Sequence, residues 1–464
     1  MRVLGFIVTF VEKYREMKHN SIIWRLGMLI LCVLAVTSCS KTSDLLSTVP
    51  ASSRGIAVVN INALLKNAGC RIEEGKLVLP QGMKLLPGSR GFLDDVASVA
   101  GCVDLDAVVL AAHSNNDLYA TLRVTDSPAL EAGLKEAGFA EDGKEDGYKV
   151  YRSSGNKIFT DGNQLWFMSG YLTLSPKEIL DEAGRGNVRE KLTGVTAFLE
   201  QDRMIAVAAS AGITGFSFGK DQWICVDINP DGNALALTQR RMTAEGELIA
   251  NSSLKTLDPA ALRLVPDGWE VVAAFGLQKN IDWHSLVTVG GMMGGFQMMG
   301  MLESLVPYLE AIDGTVEFAA NPKSAEAWQN ATLTDWNFMF AAQMPEADAR
   351  KAIDALGAYL KRLMIDVKST PAGITVSQNG LNLTAESSGG ILRIVNGEAA
   401  AGAAPEFFDN SCGAAKIAIP KGVVMGTSGI TLTAKVGESE SQITLAFPDR
   451  DMPALQTILM ELAQ

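Results

Sequence analysis

One phrase occurs three times along this chain and restricts its fold more than anything else. It is a strand-like apolar run, then a proline, then an alanine-bearing amphipathic stretch. Leu118–Gly138 carries it through Asp126-Ser127-Pro128-Ala129-Leu130, Trp336–Leu356 through Met344-Pro345-Glu346-Ala347, and Ser441–Leu462 through Asp451-Met452-Pro453-Ala454-Leu455. Proline has a fixed φ and no N–H, so it suits the first turn of a helix, where that donor would be unpaired anyway. In the last copy Leu455, Ile458, Leu459 and Leu462 share one face of a helical period. In the middle copy Ala352, Leu356, Tyr359, Leu360 and Leu363 do much the same. A second echo links Val49-Pro50, running into Ile56-Ala57-Val58-Val59, with Val265-Pro266, running into Val271-Val272-Ala273-Ala274-Phe275.

The expectation is an α+β protein of two related units, each an antiparallel sheet with helices packed on one face. The first domain is expected over residues 49–262 and the second over 263–464, as a duplication of the first. Strict alternation of strand and helix is missing, which argues against a doubly wound nucleotide fold. Within the first unit, strands are expected at Leu105–Ala112, Leu118–Thr125, Met204–Ala209, Trp223–Ile228 and Ala234–Thr243. A meander is expected across Tyr148–Arg152, Lys157–Thr160 and Leu165–Ser169. Asn62 is the expected cap of a helix over Ala63-Leu64-Leu65.

The first forty residues read differently. A basic stretch, Met17-Lys18-His19-Asn20-Ser21-Ile22-Ile23-Trp24-Arg25, precedes an apolar run from Leu26 to Val36. Thr37, Ser38 and Cys39 follow. This order makes a secretory signal over residues 1–38, and a well-formed one already begins at Met17. The apolar run is too short to span a bilayer, which takes about twenty residues. Val36-Thr37-Ser38-Cys39 resembles the lipobox of bacterial lipoproteins, with Val where Leu is commoner. That resemblance implies acylation of Cys39, cleavage just before it and a polar tether over residues 39–48. Ser40 stands where such proteins often carry an inner-membrane retention Asp, and no acid-rich export tag follows. The expected address is the outer membrane, facing the periplasm, with the cell surface as the alternative.

Cleavage before Cys39 leaves 426 residues, enough for two or three domains. It also strips five basic and two acidic residues, taking the net charge from −12 to −15. Such a chain is repelled by nucleic acid and by anionic surfaces. Cys70, Cys102, Cys225 and Cys412 remain. An exported protein can pair them; Cys70 with Cys102 is the most local pairing, while Cys225 reads as a buried thiol in a strand.

Residues that could carry chemistry are sparse. Only His113 and His284 survive in the mature chain, in no metal-binding spacing, and both read as structural. G-x-S-x-G does not occur, and the glycine pairs lack the Lys-Ser/Thr of a phosphate loop. Asp227-Ile228-Asn229-Pro230-Asp231-Gly232-Asn233 has calcium-like spacing but no glutamate at the twelfth position, and reads better as a β-turn. The six tryptophans, from Trp166 to Trp336, are spread out and read as core anchors, with a sugar platform as the alternative. The uncharged stretch Leu286–Leu302 holds Met292, Met293, Phe296, Met298 and Met299. Three readings stand: a helix packed tightly on a sheet, an adaptable apolar binding surface, or a transmembrane helix, for which the stretch is short and rich in glycine.

The opening of the mature chain, Leu46-Ser47-Thr48-Val49-Pro50 into Ile56–Leu65, resembles lipoproteins of Bacteroides- and Parabacteroides-like bacteria. That family carries no assigned reaction, so the resemblance implies a location and transfers no catalytic residue. The expected function is a membrane-anchored, noncatalytic scaffold that binds a protein or glycan partner, with no cofactor, no metal and no nucleic acid. The rivals are an envelope hydrolase without a recognisable motif and a carrier of lipids or small molecules.

Overall fold

The computed structural model describes residues 42–81, 97–113, 118–153, 156–168, 174–210, 222–279, 307–330, 333–378, 380–398, 402, 406–423 and 428–462. Among the described residues two compact bodies form: one gathers Thr42–Ile249 together with the segment from Leu445, and the other is Ala250–Thr444.

The first body opens with helix α1 (Thr42–Leu46), in which Thr42, Leu45 and Leu46 are buried. Strand β1 (Gly55–Val59) follows, and then helix α2 (Ile61–Ala68). The cap of α2 is Asn60, not Asn62: Asn60 Oδ1 accepts the Ala63 N–H at 2.8 Å. Asn60 is the last extended residue before the turn, which is where a capping side chain can reach back. Gly69, at φ 69°, ends the helix in the left-handed region that glycine tolerates best. A separate hairpin pairs β2 (Arg71–Glu73) with β3 (Lys76–Val78).

Strand β1 lies between β4 (Val108–Ala112) and β10 (Ile205–Ser210), antiparallel to both. Beyond β4 comes β5 (Leu118–Arg123), then helix α3 (Ser127–Glu136), capped by Asp126 with Pro128 in its first turn. A meander of β6 (Ala140–Glu145), β7 (Tyr148–Ser153), β8 (Asn156–Thr160) and β9 (Gln164–Met168) then returns so that β9 pairs with β5. Helices α4 (Pro176–Ala183), α5 (Val188–Lys191) and α6 (Thr193–Leu199) lead into β10. Ser175 and Glu178 form a reciprocal capping box on α4. On the other side of β10 lie β11 (Gln222–Asp231) and β12 (Ala234–Thr243), joined by the tight turn at Gly232-Asn233. The Asp227–Asn233 stretch is therefore a hairpin, as expected.

In the second body β13 (Val271–Leu277) lies between β14 (Gly314–Pro322) and β20 (Gly413–Ile419). Strand β14 pairs with β15 (Trp336–Gln343), which leads into helix α7 (Glu346–Arg362). The meander β16 (Lys368–Ser369), β17 (Gly373–Gln378), β18 (Leu381–Ser388) and β19 (Ile391–Asn396) then closes on β15. Strand β21 (Ile430–Val436) follows β20. Strand β22 (Glu440–Ala446) and helix α8 (Ala454–Leu462) complete the chain.

Two parts of the expected architecture need correction. Strand pairing runs through twenty strands as a single hydrogen-bonded sheet, with β2–β3 apart, rather than through two self-contained sheets. Side-chain periodicity says which face of a strand is apolar. It is silent on which edge pairs with which, and an unpaired edge gains by finding a partner. Helices also lie on both faces around β1. Ile56, Val58, Val109, Ala111, Ala206 and Ala208 are buried with Leu45 and Leu46 of α1, Ile179 of α4 and Phe198 of α6. On the opposite face Val59, Val108, Leu110 and Ala120 are buried with Ile61, Leu64 and Leu65 of α2, and Leu455 of α8 packs there too. The reason is visible in the strands themselves. Ile56-Ala57-Val58-Val59 and Val108-Val109-Leu110-Ala111 are apolar at every position, the pattern of strands covered on both sides.

Candidate functional site

Strands β13, β14, β20 and β21 send only apolar side chains or glycine to one face of the sheet. The register fixes this. Ala273 lies opposite Phe318 on one side and Ala415 on the other, and Ala415 lies opposite Ala434. Phe275 lies opposite Val316 and Gly413, and Phe318 opposite Phe340. Towards β17–β19 this face is closed by α7, whose Ile353, Leu356 and Leu360 are buried with Ile374, Leu383, Ala385 and Leu392. Nearer β13 it stays open: Phe318 is 42% exposed and Phe275 37%. The Phe275 ring lies across Gly413, where a Cβ would sit 2.4 Å from Phe275 Cδ1. Two half-exposed aromatic rings on a regular, uncharged strand surface make an apolar contact patch of the kind that marks interaction sites.

The opposite face is closed around β13, β14 and the start of β20. Val272, Ala274, Ala319, Ala341 and Ala414 are buried with Leu262, Val265 and Phe408. Among these small residues sits Glu317, 1% exposed, with neither carboxylate oxygen hydrogen bonded. Burial, and then the charge of Asp258, push its pKa up to about 8, so it is mostly protonated at neutral pH. A polar lattice lies beside it. Gln343 Nε2 donates to Asp258 Oδ2 at 2.7 Å, and Gln343 Oε1 accepts the Thr315 N–H at 2.7 Å. Thr315 Oγ1 accepts the Asp258 N–H at 2.8 Å. These groups, with Lys255 and Asp313, line a cleft of about 570 Å³. Lys255 Nζ donates to Asp313 Oδ1 at 2.6 Å.

The first body holds a second polar cluster. Glu182, near the end of α4, accepts from Ser52 Oγ at 2.5 Å through Oε1 and lies 2.8 Å from His113 Nε2 through Oε2. Hydrogen bonds from Ser52 and then His113 lower the Glu182 pKa, despite some desolvation. The carboxylate thus stands between the hydroxyl and the imidazole. A nucleophilic triad needs the imidazole in the middle, as base to the hydroxyl. A third site is a cleft of about 380 Å³ lined by Asp44, Leu45, Arg123, Val124, Asp161, Asn163 and Gln164. Arg123 Nη2 donates to Asp44 Oδ2 across it at 2.7 Å.

The residues singled out from sequence fare unevenly. Cys39 and the group Met292, Met293, Phe296, Met298 and Met299 lie outside the described residues, as do Trp283 and His284. Trp166, Trp223, Trp328 and Trp336 are buried, and the last two pack edge to face with centroids 5.0 Å apart. They act as core anchors rather than a platform. Cys70, Cys102, Cys225 and Cys412 are all free thiols, so the local Cys70–Cys102 pairing does not form. Cys102 is turned instead towards the Val99 carbonyl, with Sγ 2.9 Å from the oxygen. Among the described residues no cluster of three His, Cys, Asp or Glu side chains could hold a metal, and no helix is long and apolar enough to cross a membrane. The aromatic patch, Glu317 and the Ser52–Glu182–His113 cluster were missed from sequence. Apolar alternation on both faces of Val271–Leu277 was the available signal for the first, and a lone glutamate inside the apolar run Thr315–Ala320 for the second.

No protein-family model matches the chain, and no curated protein matches it. Among solved structures, three crystal forms of TP0453, a Treponema protein, align with it at 11% identity. Form III gives a TM-score of 0.29 over 43% of this chain and 79% of that one. Form I gives 0.28 over 44% and 79%, and form IV 0.27 over 43% and 83%. Scores this low do not establish a shared fold.

Proposed function

We propose that this chain is a lipid-anchored protein of the bacterial envelope that binds a protein or glycan partner without catalysing a reaction. The observation that carries the binding half is the open aromatic patch around Phe275 and Phe318, on strands whose other face is packed around Val272, Ala274, Ala319 and Ala414. The lipobox-like Val36-Thr37-Ser38-Cys39 carries the anchoring half. Ser40 in place of an acidic retention residue favours the outer membrane, and the absence of an acid-rich tag after Cys39 favours its periplasmic side. Similarity to the Bacteroides- and Parabacteroides-like lipoproteins belongs to this same reading.

The hydrolase reading loses support from the Ser52–Glu182–His113 order. A carboxylate with a lowered pKa is a weak base, and it separates the serine from the imidazole. The carrier reading calls for an apolar cavity, whereas both clefts described above are lined with charged side chains.

The binding half is tested by cross-linking the lipidated protein in intact envelopes and comparing it with the Phe275→Ser/Phe318→Ser variant. A specific adduct with one protein or glycan, lost in the variant while the melting temperature holds, is the expected result. Identical adduct patterns would overturn the patch as the binding surface. For the anchor, Cys39→Ala should abolish metabolic labelling by a fatty acid and leave unprocessed precursor. Normal labelling of that variant would remove the anchor from the proposal.

A further inference from the structure

Helix α1 begins three residues after the proposed acylation site. Thr42 is 3% exposed and Leu45 4%, so α1 is part of the core rather than of a tether. Only Ser40 and Lys41 separate Cys39 from Thr42. Three steps of extended chain reach roughly 11 Å. A lipid on Cys39 would therefore hold the surface around α1 at the level of the phospholipid headgroups.

The cleft lined by Asp44, Arg123 and Asp161 opens at that surface, since Asp44 and Leu45 of α1 form one of its walls. Its other wall is the end of β5 and the turn between β8 and β9. Arg123 pairs in register with Gln164, and Asp161 Oδ1 accepts the N–H groups of Asn163 and Gln164, both at 2.8 Å, which fixes that turn. Its volume, about 380 Å³, falls at the small end of the range for small-molecule sites. The cleft thus presents the Arg123 guanidinium, which holds Asp44 through Nη2 and keeps its other N–H groups, and the carboxylates of Asp44 and Asp161. A guanidinium fork suits phosphate oxygens, and a carboxylate suits an ammonium. A purely anionic group would meet Asp44 and Asp161, and a purely cationic one would meet Arg123.

We propose that the Asp44–Arg123–Asp161 cleft is a subsite for the zwitterionic headgroup of a phosphoethanolamine lipid in the membrane that holds the anchor. Arg123 takes the phosphate, and Asp44 and Asp161 take the ammonium. The proposal rests on Cys39 being the acylated residue. The lipid source follows from the short link, because the bilayer supplies this chemistry beside the cleft at high local concentration.

The experiment uses the lipidated protein in vesicles. A nitroxide on Asn163→Cys, corrected for the signal of the protein without that cysteine, should be relaxed by a paramagnetic metal chelated to lipid headgroups. The relaxation should fall several-fold when a twelve-residue Gly/Ser spacer is placed between Lys41 and Thr42. In detergent, phosphatidylethanolamine should bind at least tenfold tighter than phosphatidylglycerol, and Arg123→Gln should remove the preference. Asp44→Asn, a change at a largely exposed side chain, should weaken phosphatidylethanolamine binding without altering the melt. No relaxation at position 163, equal binding of the two lipids, or unchanged binding in both variants would overturn the proposal. Free phosphoethanolamine binding as tightly as the lipid would overturn the membrane as its source. Loss of the anchor itself is read separately, by fatty-acid labelling of Cys39→Ala.

Discussion

The Phe275 ring occupies the space that a side chain at position 413 would need, with Cδ1 2.4 Å from where its Cβ would stand. Glycine and aromatic are neighbours across β13 and β20 and form one contact. Gly413→Ala should push the ring off its seat and cost about 1–3 kcal/mol. Combined with Phe275→Ala, the cost should fall well below the sum of the two single changes. Chemical denaturation of the four proteins in this cycle checks the coupling; strict additivity would mean that ring and glycine are independent.

Glu317 gives the second body a pH response. Its folded pKa, about 8, lies above its ordinary value of 4.5, so the folded state keeps a proton that the unfolded state has lost. The contribution is fully present below about 4.5 and is lost as pH rises through about 8. Stability should fall across that window by on the order of 1 kcal/mol per pH unit. Glu317→Gln keeps the neutral shape and should flatten this slope, leaving the variant the more stable protein at pH 8.5. Denaturation midpoints measured from pH 5 to pH 9 decide the matter, and parallel curves for the two proteins would contradict it.

The Ser52–Glu182–His113 cluster should behave as a structural contact. A fluorophosphonate probe should leave Ser52 unmodified. Because the folded pKa of Glu182 is lowered, its contribution is present above the ordinary 4.5 and lost as pH drops through the folded value. Glu182→Gln should cost less than about 1 kcal/mol at pH 7, since the pair is partly exposed, and nothing in strong acid. Covalent labelling of Ser52 would revive the hydrolase reading.

The thiols offer a further check. Burial raises Cys225 to about 12, and burial with Asp126 raises Cys102 to about 11. Since the thiolate is the reactive form, maleimide at pH 7.5 should modify half-buried Cys70 ahead of the other three in the native mature protein. In denaturant without reductant all four should react. Fewer than four would reveal a disulfide.

What the sequence made legible follows from what side-chain periodicity encodes. The strands at 204–209, 223–228 and 234–243 and the Pro-led helices were readable because each is a local pattern, settled within ten or so residues. Which strand edges join was not, because hydrogen bonding between backbones leaves no mark on side-chain choice. The cap of α2 shifted from Asn62 to Asn60 because two asparagines flank one turn, and only backbone geometry decides between them. The candidate sites were harder still. Ser52, His113 and Glu182 come from three separated segments, and Phe275 meets Gly413 across a long excursion of chain. The Arg123 cleft exists only because α1 packs against β5 opposite the β8–β9 turn.

Helix α8 has one more consequence. It belongs to the first body, where Leu455 packs beside Ile61 and Leu64 of α2. A chain delivered from its N-terminus through a narrow exit presents α2 early and α8 last. The apolar underside of β1 and β4 therefore has only α2 to cover it while the whole second body passes. Closing such a distant contact is slow, and an exposed strand face invites wrong partners in the interval. Removing residues 450–464 should thus do more than trim a terminus: it would leave the earliest part of the protein permanently unfinished and in need of a chaperone.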